Sequence, residues 1–257
     1  MKRIDQPESI FPRIIEDCRA IFDDGLLSII LFGSAAGPDY RPGLSDINFL
    51  IILSDEAIDD IDRALGFVAK WRKQKVAVPL FMTASYIQSS LDSYPLEFLM
   101  MKNLHRTVYG KDVLSDLAIE PEFLRLQCER EIKGKLLLLR ESFLASEGKD
   151  SAVRELMARS ITAFLSIFTG LLSLRNIAVP SSRRAVVATV GELFGIDAKP
   201  FLACLDVKEN RRAHAGEGMN LFREYLRAVR KLWQMADAMD LREAPGSPAD
   251  RHSISGE

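Results

Sequence analysis

Residues 31–53 read LFGSAAGPDYRPGLSDINFLIIL, and this stretch decides the fold prediction for the N-terminal half of the chain. An apolar segment, residues 26–32, leads into Gly33 and Ser34, and a loop rich in glycine and proline follows. A second apolar segment covers residues 46–53. Short apolar runs bounded by turn residues are typical of buried strands. We therefore predict two neighbouring buried strands joined by a loop large enough to surround a phosphate.

The second strand is predicted to begin with two polar side chains on one face. Asp46 and Asn48 are two residues apart, and residues at that spacing share a face of a strand. Both are expected to point toward the turn at Gly33 and Ser34, where a glycine lets the backbone approach a phosphate and the serine hydroxyl adds a contact. The pattern predicts a combined phosphate and metal site.

With Gly33, Ser34 and Asp46 in this order and spacing, the sequence resembles the DNA polymerase beta-type nucleotidyltransferase superfamily. Its pattern is an apolar strand, Gly-Ser, a spacer, and Asp-x-Asp in the next strand; here Asn48 stands in place of the second aspartate. The resemblance covers about residues 10–112. It implies an α+β fold with a nucleotidyltransferase-like mixed sheet and flanking helices. The helical remainder looks like that of the aminoglycoside and minimal nucleotidyltransferases.

The resemblance also implies roles for individual residues. Asp46 and Asn48 would hold Mg²⁺. Gly33 and Ser34 would bind the phosphates of a nucleoside triphosphate substrate, with ATP as the first candidate. Arg41 in the loop is a further candidate for a phosphate contact, although loop arginines are more often solvated.

The family pattern adds a third carboxylate from a later strand. Glu97 is our candidate because it lies in an apolar run, where a buried acid is costly without a cation; Asp92 is the other nearby acid. The alternative is that Glu97 caps a helix or pairs with Lys102 or Arg106.

Asn48 leaves two functions open. A neutral amide removes one negative charge from a site where two divalent ions would lie ~4 Å apart. The chain is therefore either a nucleotidyltransferase of weakened activity, acting on an unidentified hydroxyl acceptor, or a catalytically degenerate member that binds or regulates. Pure scaffolding by the helices is a third reading.

The rest of the N-terminal domain, residues 1–115, alternates helical and strand patterns. Helices are expected over residues 8–24 and 54–73, and around 85–91. Strands are expected over residues 76–82 and, as a fourth, 95–103. Pro79 places the third strand at a sheet edge or a bulge, because proline cannot donate to a ladder.

Residues 116–240 show helical periodicity with breaks that allow four or five helices packed as a bundle domain. A basic cluster, KENRRAH, covers residues 208–214; an exposed helix end explains it more simply than a nucleotide contact does. Residues 241–257 are polar and are expected to form a disordered tail.

The composition limits the partners. With 34 basic and 36 acidic residues, the net charge of −2 gives no global attraction for nucleic acid, so none is expected as a partner. Three separated cysteines indicate neither a disulfide framework nor a zinc site. The most apolar segment, residues 161–174, is shorter than the ~20 residues of a membrane span. We expect a cytoplasmic protein with no membrane partner; the sequence does not indicate its oligomeric state.

Overall fold

In the computed structural model, residues 4–38 and 40–241 are described, and the chain divides into two compact units after Ile119. The expected tail lies outside the described residues, apart from Leu241. The first unit contains four strands in a mixed sheet, and the second contains helices only over its described part, residues 120–241. The predicted α+β fold class, with a helical C-terminal region, is confirmed.

The N-terminal unit is built around the sheet. Its strands are β1 (Leu26–Phe32), β2 (Asn48–Leu53), β3 (Leu80–Thr83) and β4 (His105–Gly110), and its helices are α1 (Phe11–Phe22), α2 (Leu65–Arg72), α3 (Ala84–Ser89) and α4 (Pro95–Asn103). The strand order is β3-β2-β1-β4, with β1 antiparallel to β2 and β4, and β2 parallel to β3. The strand that carries Gly33 at its end is therefore central.

Both faces of the two central strands are buried, as their continuous apolar sequences predict. On one face, α1 and α2 pack against the strands through residues such as Ile14, Phe22 and Trp71. On the other face, Leu50 and Ile52 lie in a cluster with Phe98 and Met101 of α4. Asn48 belongs to this second face, because it is two residues before Leu50.

Three element boundaries differ from the sequence prediction. The strand predicted at residue 46 begins at Asn48, because Phe32 pairs with Asn48 and β1 then turns away at Gly33. The helix predicted from residue 54 is preceded by turns and a short 3₁₀ segment, and α2 starts only at Leu65. The third strand is shortened to Leu80–Thr83, but it does lie at the sheet edge, as Pro79 indicated.

The predicted fourth strand, residues 95–103, is wrong. This segment is the helix α4, with proline at its first turn and Leu96, Phe98, Leu99 and Met101 buried. A short apolar run cannot be assigned by periodicity alone, and here the proline start favours the helix. The fourth strand is β4, which comes directly after it.

The second unit consists of five helices within residues 120–241, which confirms the helical prediction. They are α5 (Pro121–Ala145), α6 (Asp150–Leu174), α7 (Arg183–Phe194), α8 (Lys199–Glu209) and α9 (Gly218–Asp237). By length and composition, α6 is apolar enough to cross a membrane, but half of its most apolar window is buried in the unit. Phe164 of α6 packs edge-on against Phe201 of α8 and Tyr225 of α9, so α6 is the core helix of this unit.

Gly110 at the end of β4 provides a test of the sheet. Its φ is +74°, and a Cβ there would lie 2.0 Å from the carbonyl oxygen of Leu27. We expect Gly110→Ala to destabilise the N-terminal unit by on the order of 3 kcal/mol, because backbone and strand pairing must both shift. Gly66→Ala is the control, since a Cβ at Gly66 meets nothing within 4 Å. Urea unfolding followed by circular dichroism measures both; equal stability of the two variants would contradict the close approach.

Candidate functional site

The end of β1 and the start of β2 lie side by side at one end of the sheet. Phe32 pairs with Asn48 across the antiparallel ladder, and Gly33 follows with a φ of +74°. A Cβ built on Gly33 would lie 3.6 Å from the Asn48 Nδ2 atom. The structure thus brings together two of the residues that the sequence singled out, with the amide of Asn48 facing the glycine.

Asp46 lies on the same side of the chain as Asn48. The residue between them, Ile47, is 1% exposed, bridges Val76 in parallel, and accepts a hydrogen bond of 3.0 Å from the Ala77 N–H. This pairing keeps the segment extended, so that Ile47 faces the core while Asp46 is exposed and Asn48 is half-buried on the opposite side.

The backbone at the glycine differs from the expectation. The N–H of Gly33 donates to the carbonyl oxygen of Leu104 at 3.0 Å, so it is already used within the fold. Ser34 is the second residue of a short 3₁₀ turn, Gly33–Ala36, and its side chain is half-buried. The Ser34 hydroxyl and the Asn48 amide are therefore better candidates for a phosphate contact here than the Gly33 N–H.

Arg41 lies in the loop that connects the two strands. The loop closes on itself, because the Arg41 carbonyl accepts from the N–H groups of Leu44 and Ser45, and the Ser45 hydroxyl accepts from the Arg41 N–H at 3.1 Å. The Arg41 side chain is exposed. Its backbone is thus fixed while its guanidinium extends into solvent, and a role in phosphate binding stays a prediction.

The reason for choosing Glu97 does not hold. Glu97 is exposed on the first turn of α4, not buried in a strand, and Asp92 is also exposed. The N–H of Gly33 bonds to Leu104, which follows the opposite end of α4. Glu97 and Leu104 are therefore about 10 Å apart along the helix axis, at 1.5 Å per residue. Of the proposed partners, Lys102 donates to the Leu117 carbonyl and Arg106 pairs with Glu8. A catalytic role for Glu97 stays a prediction.

The acidic groups at the site are few. Over the described parts of the chain, no group of three or more His, Cys, Asp or Glu side chains is placed to hold a metal ion. Asp46 and Asn48 supply one carboxylate and one amide oxygen. Mg²⁺ usually takes one or two protein carboxylates and completes its six positions with water and substrate phosphates. The pair is therefore suited to one such ion, and it is poor in charge for two.

Sequence reasoning missed a polar cluster next to this turn. His105 is the β4 residue that pairs with Phe32, and its ring contacts the Lys102 carbonyl at 2.9 Å through Nδ1 and the Asp112 carboxylate at 3.1 Å through Nε2. Asp112 also accepts from the Ser115 hydroxyl at 2.6 Å and from the N–H of Leu114 at 2.9 Å. Strand β4 was not recognised in the sequence, so nothing indicated that His105 would lie beside the end of β1.

This cluster holds Asp112 in its charged form. Burial favours the neutral carboxyl, but hydrogen bonds from Ser115, His105 and the backbone outweigh it and hold the pKa of Asp112 well below its usual range. The thiol of Cys18, by contrast, has a pKa raised to about 12, by burial first and by Asp17 second, so it is unsuited to serve as a nucleophile.

The chain matches no family model and no curated protein. Among solved structures it is similar to spectinomycin adenyltransferase AAD(9) from Enterococcus faecialis, solved with ATP and spectinomycin. The two share 13% sequence identity over 86% of this chain and 98% of that chain, with a TM-score of 0.49. A likeness this low does not carry function from one protein to the other, so function has to be inferred from the residues of the site.

The low pKa of Asp112 predicts a pH dependence of stability. A carboxyl whose pKa is lowered on folding stabilises the protein at pH values above its unfolded pKa, and this contribution is lost as the pH falls toward the folded value. We expect Asp112→Asn to lower the urea midpoint at pH 7, and the difference from the parent to shrink as the pH drops below about 4.

The matched control is Asp116→Asn, four residues along, where the side chain is exposed. This variant should unfold like the parent at both pH values. A difference between Asp112→Asn and the parent that is the same at pH 7 and pH 3 would contradict the electrostatic origin.

Proposed function

We propose that the N-terminal unit binds a nucleoside triphosphate with Mg²⁺, ATP first among candidates, and transfers its nucleotidyl group to a hydroxyl acceptor. One observation carries this proposal. At the end of β1, Gly33 lies against the amide of Asn48, and the carboxylate of Asp46 lies on the same side of the chain. A turn without a side chain, beside oxygen ligands, leaves room for a phosphate chain that carries a metal ion.

Each residue of the proposed site would contribute a different chemical group. Asp46 supplies the negative charge, and the Asn48 amide supplies an oxygen to the metal while its N–H can donate to a phosphate oxygen. Ser34 adds a hydroxyl at the turn, and Arg41, exposed on the loop, provides a positive charge for the triphosphate. Bound Mg²⁺ would neutralise the phosphate charge and polarise the phosphorus toward attack.

The transfer itself is an in-line displacement at the α-phosphorus. The acceptor oxygen forms a bond to that phosphorus, the bond to the bridging oxygen of the β-phosphate breaks, and pyrophosphate leaves. The acceptor proton passes to a base. Glu97, the candidate for the third carboxylate, is exposed on α4 and would accept this proton. With Asn48 neutral and a single carboxylate at the turn, we infer slow transfer.

A second candidate function follows from the same residues. If one metal ion binds but no base and no second metal are present, the unit binds the nucleotide without turnover and acts as a binding or regulatory module. Asn48 and the small number of acids at the site favour this alternative. The acceptor is unidentified under the first candidate and unnecessary under the second. Under both, we place the protein in the cytoplasm, in keeping with three buried free thiols.

Asp46 is the residue whose removal tests nucleotide binding. It is exposed, so Asp46→Ala should fold like the parent while weakening Mg-ATP binding about tenfold or more, because the only charged ligand of the proposed metal is lost. Asp59→Ala removes an exposed carboxylate elsewhere in the unit and serves as the control for net charge. Calorimetric titration with Mg-ATP, with and without EDTA, measures the affinity. Equal affinities of the parent and Asp46→Ala would show that Asp46 does not hold a metal ion that contributes to nucleotide binding.

Asn48→Asp separates the two candidate functions. Aspartate has the same shape as asparagine and restores a charged ligand, so we expect Mg²⁺ binding to tighten about tenfold. Pyrophosphate release with a surrogate hydroxyl acceptor then distinguishes an enzyme from a module. Faster release in Asn48→Asp supports slow native transfer, whereas tighter binding without release supports the binding module. Rapid release by the parent, lost in Asp46→Ala, would show that Asn48 does not limit the reaction.

A further inference from the structure

The helical unit contains a cavity of its own, between α6 and the C-terminal end of α8. Its volume is about 460 Å³, within the range of small-molecule sites. The lining residues are Ser151, Arg154, Glu155, Ala158 and Arg159 from α6, and Val207, Lys208 and Arg211 from α8 and the segment after it. Four of these eight side chains are cationic and one is acidic.

Three of the cations are not neutralised. Within residues 4–38 and 40–241, Arg159, Lys208 and Arg211 form no ion pair with a carboxylate. The two acids of α8 nearest to Lys208 are used elsewhere. Asp206 pairs with Arg184 at 2.8 Å and His214 at 3.0 Å, and Glu209 pairs with Arg184 at 2.7 Å. The cavity therefore carries an excess of positive charge.

The fourth cation, Arg154, fixes the wall of the cavity. It is 8% exposed, and its Nε donates to Asp150 Oδ2 at 2.9 Å. Its Nη1 donates to the carbonyl oxygens of Ala213, at 3.2 Å, and Arg211. Asp150 in turn accepts from the N–H of Gly218 at 2.9 Å. The segment that carries Arg211 is thus held against α6 before any ligand binds, which reduces the ordering that binding requires.

Lys208 lies on the exposed side of the cavity and, among the described residues, has no charged partner. Its Nζ donates to the hydroxyl of Thr162, a neutral partner. Burial, and then repulsion from Arg183, lower the pKa of Lys208. A lysine with a neutral partner and a like charge nearby gains from a bound anion, because the anion supplies the missing counter-charge.

We propose that this cavity binds a small molecule carrying two or more phosphate groups, held by Lys208, Arg159 and Arg211. The excess of cations over the single carboxylate Glu155 favours a polyanion over a neutral or cationic ligand. The site lies wholly within the helical unit and goes beyond the function proposed for the N-terminal unit. Its anion is either the phosphate chain of a nucleotide or a separate phosphorylated compound, and the chemistry of recognition is the same for both.

The test is calorimetric titration of the full chain with inorganic tripolyphosphate in EDTA, which prevents metal-dependent binding at Asp46. We expect Lys208→Ala and Arg159→Ala each to weaken binding about tenfold or more, and Lys208→Arg, which keeps the charge, to stay within about twofold of the parent. The matched control is Lys199→Ala, because Lys199 is an exposed lysine at the opposite end of α8 and does not line the cavity. It should bind like the parent. Far-UV circular dichroism confirms that each variant is folded.

The outcomes are distinct. No binding at millimolar tripolyphosphate, or equal weakening by Lys199→Ala and Lys208→Ala, would overturn the cavity site; so would loss of binding in Asp46→Ala. A competition experiment then identifies the source of the anion. If Mg-ATP displaces tripolyphosphate, the cavity holds a nucleotide's phosphates; if both bind at once, it holds a separate phosphorylated compound. Failure of the cavity leaves the Mg-ATP result for Asp46→Ala unaffected, so the two proposals fail separately.

Discussion

The antiparallel pairing of β1 with β2 is the interaction on which the N-terminal unit and its site depend. β1 is central, its neighbours pair with it on both edges, and its ladder with β2 ends at Phe32 and Asn48. Where that ladder ends, the chain must leave the sheet at Gly33 in a left-handed conformation. The loop from residue 33 to 47 therefore begins and finishes at the same end of the sheet, where Ser34 and Asp46 lie close to its two ends.

The same arrangement explains why the site is accessible. Ile47 and Phe49 are buried against α1 and α2, whereas Asp46 and Asn48 alternate with them, Asn48 on the last rung of the ladder and Asp46 beyond it. Polar side chains at a strand end can remain accessible without loss of core packing. It also means that the carboxylate of Asp46 lies in a largely aqueous setting, where electrostatic interactions are weaker than in a buried site.

Charge in this protein is local. The chain is nearly neutral, at −2, yet one cavity of the helical unit has three cations with no ion-pair partner among the described residues. This happens because Arg184 and His214 pair with the acids of α8 on another side of the helix. His214 thus has a structural role, and the basic cluster over residues 208–214 is divided. Lys208 and Arg211 of this cluster line the cavity, whereas His214 stabilises a turn.

The sequence by itself determined the features that local chemistry encodes. The apolar strand over residues 26–32, the turn at Gly33, the helical character after residue 120 and the edge position of the strand after Pro79 all follow from residue type and spacing, and the structure has them. The shared face of Asp46 and Asn48 also follows, because alternation along an extended chain is a local property.

What only the tertiary structure decided depends on contacts between distant segments. Residues 95–103 form a helix whose apolar residues are buried while Glu97 is exposed, so the reason for choosing Glu97 disappears. The Gly33 N–H is bonded to the carbonyl of Leu104, seventy-one residues away along the chain, and His105 lies beside Phe32 because β4 pairs with β1. The cations of residues 208–214 acquire their cavity only when α8 packs on α6. Hydrogen-bond partners and net local charge are set by which segments meet, and no window of sequence contains that information.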